Sequence, residues 1–223
     1  MKLWNATKED TFHLETNALT LQRAFLLMPA AEENQAEFVQ NVTIASLNAA
    51  AYAHVLEKIS ATTDTLKFLV AIAHIQLQQY SQALVYLHEL TEKSDVWILD
   101  LLNRTDLLLL TGLVYELWAQ ENVHFKSVAQ DVFATAACDD IAVDTWISTC
   151  ATWKTIAVKC DDRGLYALSA VLWSRIVDCR NGMSVGNYTA LATAYRRSNQ
   201  LDLAHKTLLT AHQLAPWLLQ WKT

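Results

Sequence analysis

A chain of 223 residues with only 4 glycines and 2 prolines lacks the residues that punctuate sheets and loops, so its composition calls for long helices joined by short turns in one continuous body. A formal charge of −6 and a pI near 5.6, with no cluster of Lys and Arg, exclude a nucleic-acid partner. At 52% apolar residues and a mean hydropathy of +0.12 the chain is rich in apolar groups, yet its greasiest stretch, Val96 to Trp118, is broken by Asp100, Asn103, Arg104, Asp106 and Glu116, which excludes insertion into a membrane.

At the start, MKLWNATKEDTFHLE has Lys8, Glu9 and Asp10 where a leader peptide would run apolar, and a cytoplasmic location is expected. Residues 8–28 and 32–60 then read as two helices separated at Pro29, with Glu32 and Glu33 in the first turn of the second, where negative charge suits the helix dipole. They lack the small-residue spacings found downstream. Residues 1–62 are therefore expected to form a helical cap on a repeat region over 63–223.

The first repeat lies in LKFLVAIAHIQLQQYSQALVYLHEL, with Ala71, His74, Tyr80, Ala83, Leu87 and Leu90 at its marker positions. Gly112, Tyr115, Ala129, Phe133 and Ala136 mark a second unit with a longer turn near Ala119–His124, and Ala157, Cys160, Gly164, Trp173 and Ile176 a third. The fourth, NYTALATAYRRSNQLDLAHKTLLTAHQLAP, is the most regular: Tyr188, Leu191, Ala192, Tyr195, Ala204, Leu208, Ala211 and Pro216 all fall in place. Ala192 and Ala204, twelve apart, let a helix over 186–197 approach one over 200–214, with Tyr195 and Leu208 filling the gaps beside them. Asn199 marks the turn and Pro216 the stop.

Those eight positions are the ones at which a tetratricopeptide repeat places its large, small, aromatic and proline residues, and the segment over about 64–218 resembles that family. The resemblance implies an all-α solenoid of helical hairpins whose first helices line a concave face. It further implies a protein or peptide client held there, as in the bacterial type III secretion chaperones that this small acidic chain also resembles. Carried over unit by unit, the groove would present Phe68, Ile72 and Ile75, then Leu109, Leu113 and Leu117, and lastly Thr189, Thr193, Arg196 and Arg197.

The helices LKFLVAIAHIQL and LLLLTGLVYELW are apolar nearly all round, so something covers their second face. The chain's own N-terminal helices and a bound apolar segment of a client are both open as that cover. Arg196 and Arg197 would clamp a carboxylate or end a solvated helix. Trp217, Leu218, Leu219 and Trp221 would shield the end of the stack or contact a partner, a second copy included.

No Gly-rich phosphate loop, HExxH or GxSxG motif is present, so neither an enzyme nor a cofactor is expected. Cys138, Cys150, Cys160 and Cys179 have no metal-ligand spacing, and the two Cys-Asp-Asp triplets, at 138–140 and 160–162, read as turns with a capping Asp. His205 and His212 share a helix face without further ligands. The expected role is that of an adaptor or chaperone. A structural subunit that self-associates is the alternative, and an enzyme with an unrecognised site a remote third.

Overall fold

Ten α-helices account for most of residues 32–139, 150–178 and 182–216, which this computed structural model describes. In chain order they are α1 (Glu32–Asn48), α2 (Tyr52–Lys58), α3 (Asp64–Gln76), α4 (Tyr80–Thr91), α5 (Arg104–Trp118), α6 (Phe125–Asp139), α7 (Cys150–Asp162), α8 (Tyr166–Asp178), α9 (Val185–Arg197) and α10 (Leu201–Leu214). No strand accompanies them among the described residues, where a single bridge joins Ile98 to Leu102. The protein is all-α. The helix expected over 8–28 and the tail residues Trp217, Leu218 and Trp221 lie outside the described residues.

Three helices start on a side-chain cap, whereas α2, α4 and α10 have none. Thr63 accepts a hydrogen bond from Leu66 N at the head of α3, Ser184 one from Asn187 N at the head of α9, and Asn103 and Asp106 form a reciprocal capping box on α5. The ends are more uniform. Ala50, Gln78, Gly164 and Asn199 all have φ between 58° and 71°, in the left-handed region. After each, the next amide bonds five residues back: Ala51 to Ser46, Gln79 to His74, Leu165 to Cys160 and Gln200 to Tyr195, all at 2.8–2.9 Å. This is the Schellman closure, which satisfies the orphan carbonyls of one helix and turns the chain sharply into the next.

Counted from these four residues, the hairpins share one register. Seven positions earlier stand Thr43, Ala71, Ala157 and Ala192; five later stand Val55, Ala83, Ser169 and Ala204; all eight are buried. A short side chain on each helix at the crossing lets the two backbones come close. The N-terminal segment obeys the same register, with Thr43 and Val55 in place of two alanines. Residues 32–60 thus form a hairpin, α1–α2, and not the single helix expected: Ala50, at φ 58°, breaks it. Thr43 escaped notice because it is polar, but its hydroxyl donates to Val39 O at 2.7 Å within the helix and leaves its methyl to pack.

The α5–α6 hairpin departs from this pattern. Its small residues, Gly112 and Ala129, are seventeen apart, and the turn is stiffened by Trp118 stacked on Phe125, centroids 3.8 Å apart. Gly112 answers the size of Phe133: a Cβ there would lie 2.3 Å from Cε1 of that buried ring.

Successive hairpins stack, α2 on α3, α4 on α5 and α8 on α9, which makes the array a solenoid. It also curls back on itself. α1 lies against both α3 and α8. Asn48 Nδ2 donates to Gly164 O at 2.6 Å, Gln76 Nε2 to Ala167 O at 2.7 Å, and Gln200 Nε2 to Tyr52 Oη at 3.3 Å. Across the coil, Lys159 Nζ meets Asp106 Oδ2 at 2.9 Å and Arg175 Nε meets Glu116 Oε2 at 3.0 Å, tying α7 and α8 to α5. Four hairpin turns converge on one side of the molecule.

The glycines give a test. Gly112→Ala is expected to cost about 1–3 kcal/mol through overpacking against Phe133. Gly186→Ala, whose Cβ would meet nothing within 4 Å on α9, is expected to leave stability unchanged or raise it by up to about 1 kcal/mol. Denaturant unfolding of both variants checks the pair, and equal effects would contradict the packing described.

Candidate functional site: a lateral cleft

Curling leaves a cleft of about 750 Å³ between the C-terminal ends of α3 and α5 on one side and α8 on the other. The α9–α10 turn closes one end. Its apolar floor is Ile75, Leu113, Leu117, Val171 and Leu203. Round the rim stand four amide side chains, Gln76, Gln78, Gln120 and Gln200, and two phenols, Tyr80 and Tyr195. The four glutamines sit at or just past the ends of helices, where a long side chain reaches over the edge of the stack.

The charged groups of the cleft are largely spoken for. Arg175 and Glu116 pair across it, half-buried, so they fix the distance between α5 and α8 while leaving little net charge. Lys126 and Asp178 are exposed at the margin. Gln76 and Gln200 donate within the fold, to Ala167 O and Tyr52 Oη, so the exposed amides of Gln78 and Gln120 are the ones that set hydrogen-bonding groups beside the apolar floor.

Burial sorts the sequence-derived groove residues into three groups. Ile75, Leu113 and Leu117 reach the cleft wall. Phe68, Ile72 and Leu109 do not: each is about 1% exposed, sealed in the core, because α1 packs on α3 and the chain folds across α5. These three are core residues and line no groove. On α9, Thr189 and Thr193 turn their hydroxyls back to Val185 O and Thr189 O, at 2.7 and 2.8 Å. Arg196 is exposed, and Arg197 donates to Tyr166 Oη at 2.6 Å with its guanidinium 4.9 Å over that ring. That set ties α9 to α8 and does not enter the cleft lining.

The opposite wall, α8, was not foreseen. Sequence reasoning assigned the groove to the first helix of each hairpin, whereas Ala170, Val171, Ser174 and Arg175 belong to a second helix. No local pattern announces this, because α8 faces α3 only once the coil has closed. The glutamines at the helix ends were the available signal.

Groups that looked chemically suggestive prove structural. Asp161, of the second Cys-Asp-Asp triplet, accepts from Ser169 Oγ at 2.6 Å and Trp173 Nε1 at 3.0 Å within the α7–α8 hairpin. Burial pushes the Cys160 thiol far above its ordinary pKa, the reverse of an activated nucleophile. No His, Cys, Asp and Glu cluster suited to a metal occurs among the described residues, and none of their helices is long and apolar enough to cross a membrane.

The geometry defines an all-α solenoid of tetratricopeptide-like hairpins, curled around a lateral cleft. No family model matches the chain, and no curated protein matches it. Two solved structures, "MamA MSR-1 C2" and "MamA AMB-1 P212121", align over 78% of this chain and 93% and 96% of theirs, at 13% and 14% identity and a TM-score of 0.35 in both cases.

Burial also raises the pKa of the Tyr195 phenol, with Asp178 adding to the rise and a hydrogen bond from Ser174 opposing it. A folded-state value above the unfolded one contributes stability that is complete below about pH 10 and is lost as pH climbs through the folded value. Tyr195→Phe is therefore expected to flatten the fall in unfolding free energy between pH 9 and 11.5. Parallel pH profiles for variant and wild type would contradict the burial.

Proposed function

We propose that the protein is an interaction scaffold that holds an extended segment of a client polypeptide in the lateral cleft, as an adaptor or chaperone does. The observation that carries this reading is the pairing of the exposed Gln78 and Gln120 amides with an apolar floor in an open cleft of about 750 Å³. An extended backbone presents one donor and one acceptor per residue, and the amides of Gln78 and Gln120 offer complementary groups, while Gln76 and Gln200 donate within the fold to Ala167 O and Tyr52 Oη. Apolar client side chains would then bury against Leu117 and Val171, the main source of affinity.

A phage-displayed library of random dodecapeptides, selected on the wild-type protein, supplies the probe. Selected peptides are expected to lose at least about tenfold in affinity, or 1.4 kcal/mol, on Leu117→Glu and on Gln120→Ala. Val85→Glu, on the exposed face of α4 away from the cleft, is expected to bind as wild type. Circular dichroism controls for folding. Undiminished binding by both cleft variants would remove the cleft as the holding site.

A further inference from the structure

One wall of the cleft comes wholly from residues 75–126 and the other from residues 170–203. Helix packing divides the described residues at the same place. Close packing runs without a break from α1 to α6 and again from α7 to α10, but α6 does not pack closely on α7. Across the join α1 and α3 approach α8, and side chains span the rest: Phe133 meets Trp153 edge to face, Asn48 bonds to Gly164 O, and Lys159 to Asp106. Two packed bodies thus meet, one within residues 32–139 and one within 150–216, with the cleft between them.

The bonds that set the separation of the walls belong to the lining itself. Gln76, on the first body, donates to Ala167 O on the second at 2.7 Å, and Gln200, on the second, donates to Tyr52 Oη on the first at 3.3 Å. Arg175 meets Glu116 through Nε at 3.0 Å and through Nη2 at 3.4 Å. All four of these side chains line the cleft. Water replaces such bonds at small cost: the Arg175 and Glu116 side chains are 27% and 33% exposed, and a hydrogen bond contributes little net once its partners can be solvated. Parting α5 from its neighbours within the first body would instead expose Leu107, Leu108, Leu109 and Leu110, all buried.

We propose that the cleft is the mouth of a two-body clamp, held narrow by Gln76, Gln200, Glu116 and Arg175. These bonds give way before either body loses its packing, so the walls part at the join. A polypeptide entering the cleft meets the same four groups, and taking one of them up releases it from the opposite wall, so entry and opening are linked. Use of the motion by a client rests on the holding role proposed above, whereas the motion itself does not.

Double electron–electron resonance on the full chain, with no client added, measures the opening. Nitroxides carried on p-acetylphenylalanine at Gln120 and Asp178, exposed residues of opposite walls, leave all four cysteines in place. Glu116→Arg, which sets like charges against each other, and Gln76→Ala/Gln200→Ala are each expected to lengthen the mean distance between the labels. Glu116→Arg/Arg175→Glu restores the attraction and is expected to return the wild-type distance. A second label pair, at Val85 and Gln120, lies within the first body and is expected to keep one distance throughout. An unchanged Gln120–Asp178 distance in both the Glu116→Arg and the amide variant would overturn the clamp. So would failure of the exchanged pair to restore it, or a shift of the Val85–Gln120 pair, which would mean that the stack itself is distorted. All substituted side chains are partly exposed, so the variants are expected to fold, and the outcome stands whether or not peptides bind the cleft.

Discussion

The fold depends on a short side chain at each helix crossing. Where Ala71 meets the helix of Ala83, or Ala192 that of Ala204, two backbones approach closely enough for their larger neighbours to interlock, and a Schellman turn at a fixed distance holds the pair in register. Four hairpins repeat this arrangement. The fifth, α5–α6, reaches the same end by another route: it dispenses with the tight turn, stacks Trp118 on Phe125, and replaces the first alanine by Gly112 to admit the ring of Phe133.

Much of this was legible in the sequence, because small residues at constant spacing are a one-dimensional signal of a local contact. The helices around Ala192 and Ala204 lie within a residue of where spacing put them. The α1–α2 hairpin was missed for a physical reason. Thr43 does the work of an alanine only because its hydroxyl is satisfied inside its own helix, and Ala50 takes a left-handed conformation that sequence assigns first to Gly or Asn. Tertiary closure forces that turn, and closure is what a local pattern omits.

The same limit governs the cleft. Uninterrupted hydrophobicity in α3 and α5 signalled that their second faces were covered, but not by what. Phe68, Ile72 and Leu109 are taken by the chain itself, and only the C-terminal ends of these helices, at Ile75, Leu113 and Leu117, face an opening. Long-range hydrogen bonds such as Asn48 to Gly164 and Gln76 to Ala167, with the Arg175–Glu116 pair, set the width of that opening. The residues that shape the cleft are thus partly those that close the coil, so a change in curvature would alter both at once.

Comparing two substitutions on one helix tests the crossing constraint most directly. Ala83→Leu places a large side chain at the α3–α4 crossing, whereas Val85→Leu, two residues on, faces solvent. Unfolding free energies from denaturant titration are expected to fall by about 1–3 kcal/mol or more for the first and to stay within about 0.5 kcal/mol of wild type for the second. Equal stabilities for the two variants would mean that the close approach at Ala83 does not hold the hairpin together.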